Sequence, residues 1–472
     1  MNIRIVALAL ALMMGCTTTT TALAQEIPHA RDQLTYSFAP LVKQASPAVV
    51  NIYAHKIVRQ RMVNPFMNDP FFREFFGRSL PPGLSRERAE NSLGSGVIVR
   101  PEGLVVTNHH VIANADEIKI VMSDRREFSA TIEVSDPKTD LAVLRIQETQ
   151  GQRFQALELR DSDTIEVGDL VLAIGNPFGI GQTVTSGVIS AIARTDIGNN
   201  DLNYYLQTDA AINPGNSGGA LVSMDGKLVG VNTAIFTESG GSIGIGFAIP
   251  SNLVRATINA VETGQKRLVR PWLGLDGQDV TADIAQSLGL GKPQGVLVTK
   301  IRPHSPAQKA GVAVGDVIRS LDGKMVADLE ELRFRIATMA VGATARLSLL
   351  NPQSGQERVV NMVLGGPPET TPRQETQLRG QHPLDGITIA NLSPALADEL
   401  QLGIDGEGVV IIQASENSAL GGFSLAVGDV LLAINRQQIK TVDDVKKVLR
   451  QKTQGWQITL RRNNQRLTVL LR

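Results

Sequence analysis

The turn that most limits what this chain can fold into is Asn213-Pro214-Gly215-Asn216-Ser217-Gly218-Gly219. It rings one serine with three glycines directly ahead of the apolar run Ala220-Leu221. Glycine enters the φ > 0 region freely, so Gly215, Gly218 and Gly219 permit a reversal too tight for other residues. Such a turn can aim two or three backbone N–H groups at one point beside the Ser217 hydroxyl. That is the geometry needed to hold negative charge on a carbonyl oxygen. A plain Gly-rich hairpin loop has the same composition, so the reading depends on residues upstream.

A serine hydroxyl is a poor nucleophile until a base takes its proton. Of the six histidines, His109 and His110 end the segment Gly103-Leu104-Val105-Val106-Thr107-Asn108-His109-His110, an apolar strand running into a turn. Neighbours in extended chain point opposite ways, so only one of the two faces the serine. A third group must hold the base in the right tautomer. Asp140 is the best candidate: it closes the turn Asp136-Pro137-Lys138-Thr139 and opens the apolar run Leu141-Ala142-Val143-Leu144. Asp136 reads as the turn former. The order His, Asp, Ser along the chain is that of chymotrypsin-like folds.

With these three segments in that order, the chain resembles the HtrA/Deg family of trypsin-like serine proteases, DegQ/DegP-like. Thr107-Asn108-His109-His110-Val111 matches the family's histidine segment and assigns the base to His110. Asp140 to Leu144 matches its aspartate segment, and Gly215 to Leu221 its serine segment. The resemblance implies a mostly β fold: a chymotrypsin/trypsin-like double six-stranded β-barrel followed by two αβ PDZ domains. It further implies a catalytic triad of His110, Asp140 and Ser217, with an oxyanion hole formed by the N–H groups of Gly215, Asn216 and Ser217.

Composition excludes other chemistries. Lys+Arg and Asp+Glu are both 46, so no net field attracts nucleic acid or an anionic membrane. The sequence carries neither a phosphate loop nor a His-Glu-x-x-His zinc helix, so no metal or other cofactor is expected and proteolysis is expected to be ATP-independent. The only cysteine, Cys16, lies in the leader. There Arg4 precedes an apolar run from Ile5 to Gly15, about eleven residues, against the roughly twenty needed to span a bilayer. Ala22-Leu23-Ala24 fits a cleavage site after Ala24, and acylation at Cys16 is the competing reading. No integral membrane segment is expected, and the resemblance implies a Gram-negative periplasm.

The expected organisation is a signal peptide (1–24), a protease domain (25–264), a first PDZ domain (268–366), a linker (367–380) and a second PDZ domain (381–472). The Phe-, Pro- and Arg-rich loop 59–91 matches one that, in the family, gates the site and contacts neighbouring subunits. An internal repeat marks the PDZ pair: Ala313-Val314-Gly315-Asp316-Val317-Ile318 returns as Ala426-Val427-Gly428-Asp429-Val430-Leu431. The offset is about 113 residues, a domain-sized period. PDZ domains bind peptides as an added strand, with N–H groups taking the terminal carboxylate. Trp272-Leu273-Gly274-Leu275 matches that carboxylate loop. Leu384-Asp385-Gly386-Ile387 matches it less well, leaving peptide binding and a purely structural role both open for the second module.

The resemblance also places Ile235 and Ile245 at the primary specificity pocket, which implies cleavage after small or medium aliphatic residues. It matches Arg194 to Asn203 to a regulatory loop, with Arg194 as its contact residue. The partners it implies are unfolded polypeptides and C-terminal peptides, in a homo-oligomer built from trimers. The function read from all of this is degradation of unfolded or misfolded envelope proteins. A holdase chaperone with a vestigial triad is the alternative.

Overall fold

Twelve strands close into two barrels. In the computed structural model the first runs β1 (Val49–Gln60), β2 (Arg86–Arg100), β3 (Leu104–Asn108), β6 (Leu141–Ile146), β5 (Glu127–Asp136) and β4 (Glu117–Val121), with β4 pairing back to β1. The second runs β10 (Ala220–Ser223), β11 (Leu228–Ile235), β12 (Gly246–Pro250), β9 (Tyr204–Thr208), β8 (Thr183–Arg194) and β7 (Leu170–Gly175). The described residues are 37–60, 86–113, 115–176, 181–194, 204–213, 215–235, 242–265, 268–400, 402, 408–414, 419–420, 423–451, 453, 455–462 and 465–471. The leader with Cys16 lies outside them, as do 61–85 of the long loop and 195–203 of the regulatory loop. Among the described residues no helix is long and apolar enough to cross a membrane.

Alternation fills both barrels. In β4, Ile118 and Ile120 are buried between exposed or half-buried Glu117, Lys119 and Val121, the period-2 pattern of a one-face-buried strand. Ile52, Ile98, Ile120 and Leu144 lie in the first barrel and Leu172, Ile174, Ile189 and Leu206 in the second, all essentially without exposure. Helix α2 (Ser251–Glu262) buries Leu253, Val254, Ile258 and Ala260 and packs on β6 and β11, so it ties the barrels together.

The repeat appears as two sheets of matching order. The first module holds β13 (Leu275–Asp279), β14 (Val296–Ile301), β15 (Val317–Leu321), β17 (Thr344–Asn351) and β18 (Gln356–Val363) in line, with helix α5 (Leu329–Ala337) following β15 in the chain. The second holds β20 (Thr388–Asn391), β21 (Val409–Gln413), β24 (Val430–Ile434), β26 (Trp456–Arg462) and β27 (Gln465–Leu471). Its helix α7 (Val442–Leu449) opens on a capping box between Thr441 and Asp444. Asp316 is fully buried; its carboxylate accepts the Ala313 N–H at 2.7 Å and is held by the Arg358 guanidinium. Asp429 repeats this with the Ala426 N–H at 2.9 Å and Arg462 at 2.6 Å. The repeated Gly-Asp is therefore a structural ion pair, satisfied by a forked donor and a backbone N–H.

Candidate active site

Asp140 adopts a left-handed backbone (φ 53°), a conformation rare outside glycine but tolerated by Asp. The Asp136 carboxylate builds the turn before it, accepting from Lys138 N–H at 3.3 Å and from Thr139 Oγ1 at 2.6 Å. The Asp140 carbonyl is held by Asn108 Nδ2 and by the His109 N–H, both at 3.0 Å. That pins the aspartate to the end of β3, where helix α1 (His109–Ile112) begins. Its carboxylate then meets His110 Nδ1 at 2.8 and 3.0 Å and accepts the His110 N–H at 3.0 Å. With Nδ1 so engaged, Nε2 is the nitrogen left for chemistry.

The second barrel completes the carboxylate's shell. Thr233 Oγ1, on β11, donates to Asp140 Oδ2 at 2.6 Å. Burial, the largest single influence on Asp140, pushes its carboxyl upward. Hydrogen bonds from His110 and Thr233, with the His110 charge, outweigh it and hold Asp140 below the usual carboxylate range. His109 turns the other way and meets Ser135 Oγ at 2.7 Å. Burial lowers its ring pKa despite the nearby Asp140 and Asp136, and His110 adds to the lowering. Both histidines open helix α1 instead of continuing an extended strand, so the turn of about 100° between helical neighbours, not strand alternation, separates them, and His110 is the one on Asp140.

The serine loop is held by its own turns. Asn216 N–H donates to the Asn213 carbonyl and Gly219 N–H to the Asn216 carbonyl, both at 2.9 Å, while Gly218 N–H donates to the Asn232 carbonyl at 2.8 Å. One expectation changes here: the Asn216 N–H closes a turn and is not free to hold an oxyanion. The N–H groups of Gly215 and Ser217 have no acceptor among the described residues. Ser217 Oγ donates to the Thr233 carbonyl at 3.1 Å, and no hydrogen bond joins it to the His110 ring. At Gly218 (φ 83°) an added Cβ would lie 2.0 Å from the Ser95 carbonyl oxygen and 2.3 Å from Thr107 Oγ1, which explains the glycine sterically.

Ser95 was not legible as functional. It is fully buried on β2, and its Oγ donates to the Gly215 carbonyl at 2.7 Å while accepting the Asn176 N–H at 2.9 Å. Its N–H donates to the Ser217 carbonyl at 2.8 Å, and its own carbonyl accepts Thr107 Oγ1 at 2.7 Å. One residue of the first barrel therefore grips the serine loop on both sides of Asn216. The only sequence signal was small residues inside a strand, Gly94-Ser95-Gly96, a pattern of close backbone approach. Thr233 was missed because nothing in Asn232-Thr233-Ala234 distinguishes it from other strand threonines.

Ile245 is half-buried just ahead of β12, and Ile235 ends β11 opposite Gly246; the Ile235 side chain lies outside the described residues. A Cβ on Gly246 would come within 2.7 Å of Ile212 Cδ1, so that glycine leaves room beside a buried aliphatic side chain. Arg194 ends β8 opposite Tyr204, and its side chain also lies outside the described residues. The Tyr204 ring stacks on Phe334 of α5, centroids 4.2 Å apart. Trp272, Leu273, Gly274 and Leu275 line a groove of about 390 Å³ shared with Ile336 of α5 and Lys138 of the first barrel.

Comparison with known proteins agrees with this architecture. Residues 94–231 match the trypsin-like peptidase domain model, and 242–358 match the PDZ domain model. The chain is 35% identical over 487 residues to the periplasmic serine endoprotease DegP of Escherichia coli K12, covering 98% of each chain. It is 37% identical over 469 residues to the periplasmic pH-dependent serine endoprotease DegQ of the same strain, again 98% of each. Among solved structures, the HtrA-type protease AlgW with a decapeptide is 42% identical over 71% of this chain and 99% of that one, with a TM-score of 0.52.

Proposed function

Because the chain belongs to the HtrA/Deg family of periplasmic serine endoproteases, we propose that it degrades unfolded envelope proteins without ATP, using Ser217, His110 and Asp140. The observation that carries this is the Asp140 carboxylate, bound by His110 from one barrel and Thr233 from the other, beside the glycine-turned Ser217. Ser217 Oγ leaves the Thr233 carbonyl by rotation about its Cα–Cβ bond and attacks the scissile carbonyl carbon. His110 Nε2 takes the hydroxyl proton, and Asp140 stabilises the imidazolium through Nδ1. The carbonyl oxygen becomes an oxyanion held by the Gly215 and Ser217 N–H groups. Collapse breaks the C–N bond, and the amine leaves with the proton from His110. A water, deprotonated by His110, then hydrolyses the acyl-enzyme.

Aliphatic Ile235 and Ile245 form the pocket for the residue before the cut, with preference for Val, Ile or Ala. The first PDZ module, from about 268 to 366, takes C-terminal tails of substrates at Trp272 to Leu275. The loop Arg194 to Asn203 passes that signal to the active site; support comes from Tyr204, at its far end, stacking on the wall helix α5. Residues 1–24 deliver the chain to the periplasm, residues 25–264 form the protease domain, and the second PDZ module spans 381–472. The loop between β1 and β2, shorter than the expected 59–91 because β1 runs to Gln60 and β2 starts at Arg86, joins copies into trimer-based assemblies.

A serine-directed phosphonate tests the core of this reading. Wild-type protein should be labelled once, at Ser217, and faster with an unfolded protein present. His110→Ala should abolish labelling, whereas His109→Ala should retain it. Labelling lost in His109→Ala alone would move the base to His109.

A further inference from the structure

The two PDZ modules differ at one edge. In the first, β13 is the outermost strand, and its far side has no partner strand among the described residues. In the second, the equivalent strand β20 carries an extra strand, β19 (Thr376–Gln377), contributed by the preceding linker. The pairing is antiparallel, Thr376 opposite Ile389 and Gln377 opposite Thr388. It extends both ways: the Asn391 N–H donates to the Arg373 carbonyl at 2.7 Å, and the Leu378 N–H donates to the Ile387 carbonyl at 2.8 Å.

This is the edge, and the direction, in which a peptide tail adds to such a module. The segment ends as a tail would. Leu378 is 4% exposed and belongs to the core cluster that holds Ile387 and Ile389 with Val445 and Val448 of α7. Its carbonyl accepts the Gly386 N–H at 2.8 Å, from the loop that corresponds to Trp272-Leu273-Gly274-Leu275. Side chains alternate as on a bound strand: Thr376 half-buried, Gln377 exposed, Leu378 buried. The start is anchored separately. Gln374 Nε2 donates to Asp443 of α7 at 2.8 Å, and the Arg373 guanidinium bridges Glu369 at 2.6 Å and Glu399 at 2.7 Å.

We propose that residues 373–378 are a tethered ligand of the second PDZ module. They fill its peptide edge and its apolar end pocket, so the module takes no free C-terminal tail while they are docked. The ligand class its site accepts is therefore an extended strand with a β-branched hydroxyl residue two positions before a terminal leucine. The first module, whose equivalent edge has no partner strand among the described residues, is left as the receptor for incoming tails, and on that point alone the proposal touches the function argued above.

The test uses the full chain with Ser217→Ala, so that nothing is cut, and Cys16→Ser, so that no other thiol is present. Titration with a heptapeptide copying residues 372–378 and ending in a free carboxylate is followed by calorimetry. Leu378→Asp should add one site per chain to the number bound by its parent, whatever the first module contributes. An equal number in both, with the second module still folded, overturns the proposal. Because Leu378→Asp could unfold that module, a second measurement stands independently. Gln377→Cys with Thr388→Cys puts two thiols on directly opposed residues. Mild oxidation should give a quantitative disulfide within one chain. No disulfide, or one only between chains, overturns it, whereas failure of the tail-capture reading for the first module changes only the parent's own count.

Discussion

Ser95→Ala removes one buried hydroxyl and leaves two backbone groups without partners, the Gly215 carbonyl and the Asn176 N–H. A buried donor or acceptor left unsatisfied costs about 1–3 kcal/mol. With partial relaxation the pair should cost about 2–4 kcal/mol, a large share of the 5–15 kcal/mol that typically separates folded from unfolded domains. The loss should also reach catalysis. Gly215 contributes one of the two N–H groups proposed for the oxyanion, and Ser95, from the opposite barrel, holds the carbonyl at the other end of that residue. A displacement of about 1 Å at a reacting centre can cost roughly 10²-fold in rate. The expected result is therefore a urea midpoint lowered in proportion and a kcat lowered about 10–100-fold, with KM for an unfolded substrate little changed. Ile120→Val, in the first-barrel core and away from the serine loop, provides a destabilised control whose phosphonate labelling rate should stay at the wild-type value. Ser95→Ala with wild-type labelling rate and stability would refute the clamp.

Other outcomes follow from the same geometry. Ser217→Ala should lower kcat by about 10⁶ and Asp140→Asn by about 10⁴, because the amide cannot hold the imidazole in its working tautomer; measured turnover of an unfolded substrate decides both. His109 is favoured neutral in the fold, so the unfolded chain binds its proton more readily. Its contribution to stability is full above the unfolded value of about 6.5 and is lost as pH falls below it. Urea midpoints at pH 7.5 and 5.5 should therefore differ less in His109→Gln than in wild type, and equal differences would refute the assignment. Arg194→Ala should leave tail binding and the fold unchanged while reducing peptide-stimulated cleavage, and undiminished stimulation would remove Arg194 from the switch. Cleavage-site sequencing should find cuts after Val, Ile and Ala; a majority after Lys or Arg would refute the aliphatic pocket.

What the sequence made legible divides by range of interaction. The glycine turn and the 113-residue repeat are local or periodic, so the serine loop and the paired modules could be read from the residues, whereas the two barrels came with the family resemblance. The histidine and aspartate segments were legible because each carries its own turn: Asp136 closes one through Thr139, and Asn108 ties Asp140 to β3. Ser95 and Thr233 were not, because their work is to reach across from the other barrel, and nothing near either residue records that partner. The Asn216 N–H failed for a related reason. Counting donors in a glycine-rich loop does not reveal which of them the loop spends on its own turn to Asn213. Residues 195–203 of the regulatory loop and the Ile235 side chain lie outside the described residues, so only the stacking of Tyr204 on α5 bears on the first of these readings.

The contacts between modules converge on the turn that carries Asp140. Arg270, two residues before Trp272, pairs with Asp136 at the start of that turn. Lys138, at its tip, pairs at 3.4 Å with Asp398 on the second module's helix α6 (Pro394–Glu399). Both lysine and aspartate are largely shielded from solvent, so screening by salt weakens this pair less than a surface one. A tail settling at Trp272 to Leu275 would enter the groove that Lys138 and Arg270 also line. Its carboxylate would compete with Asp136 and Asp398 for those two cations. Release of the turn that positions Asp140 would then be felt at His110 without any movement of the barrels, because Nδ1 of His110 takes its orientation from that carboxylate. A base oriented by a residue on a turn that both modules hold would be open to control from them, on the histidine side of the cleft, opposite the loop that holds Ser217.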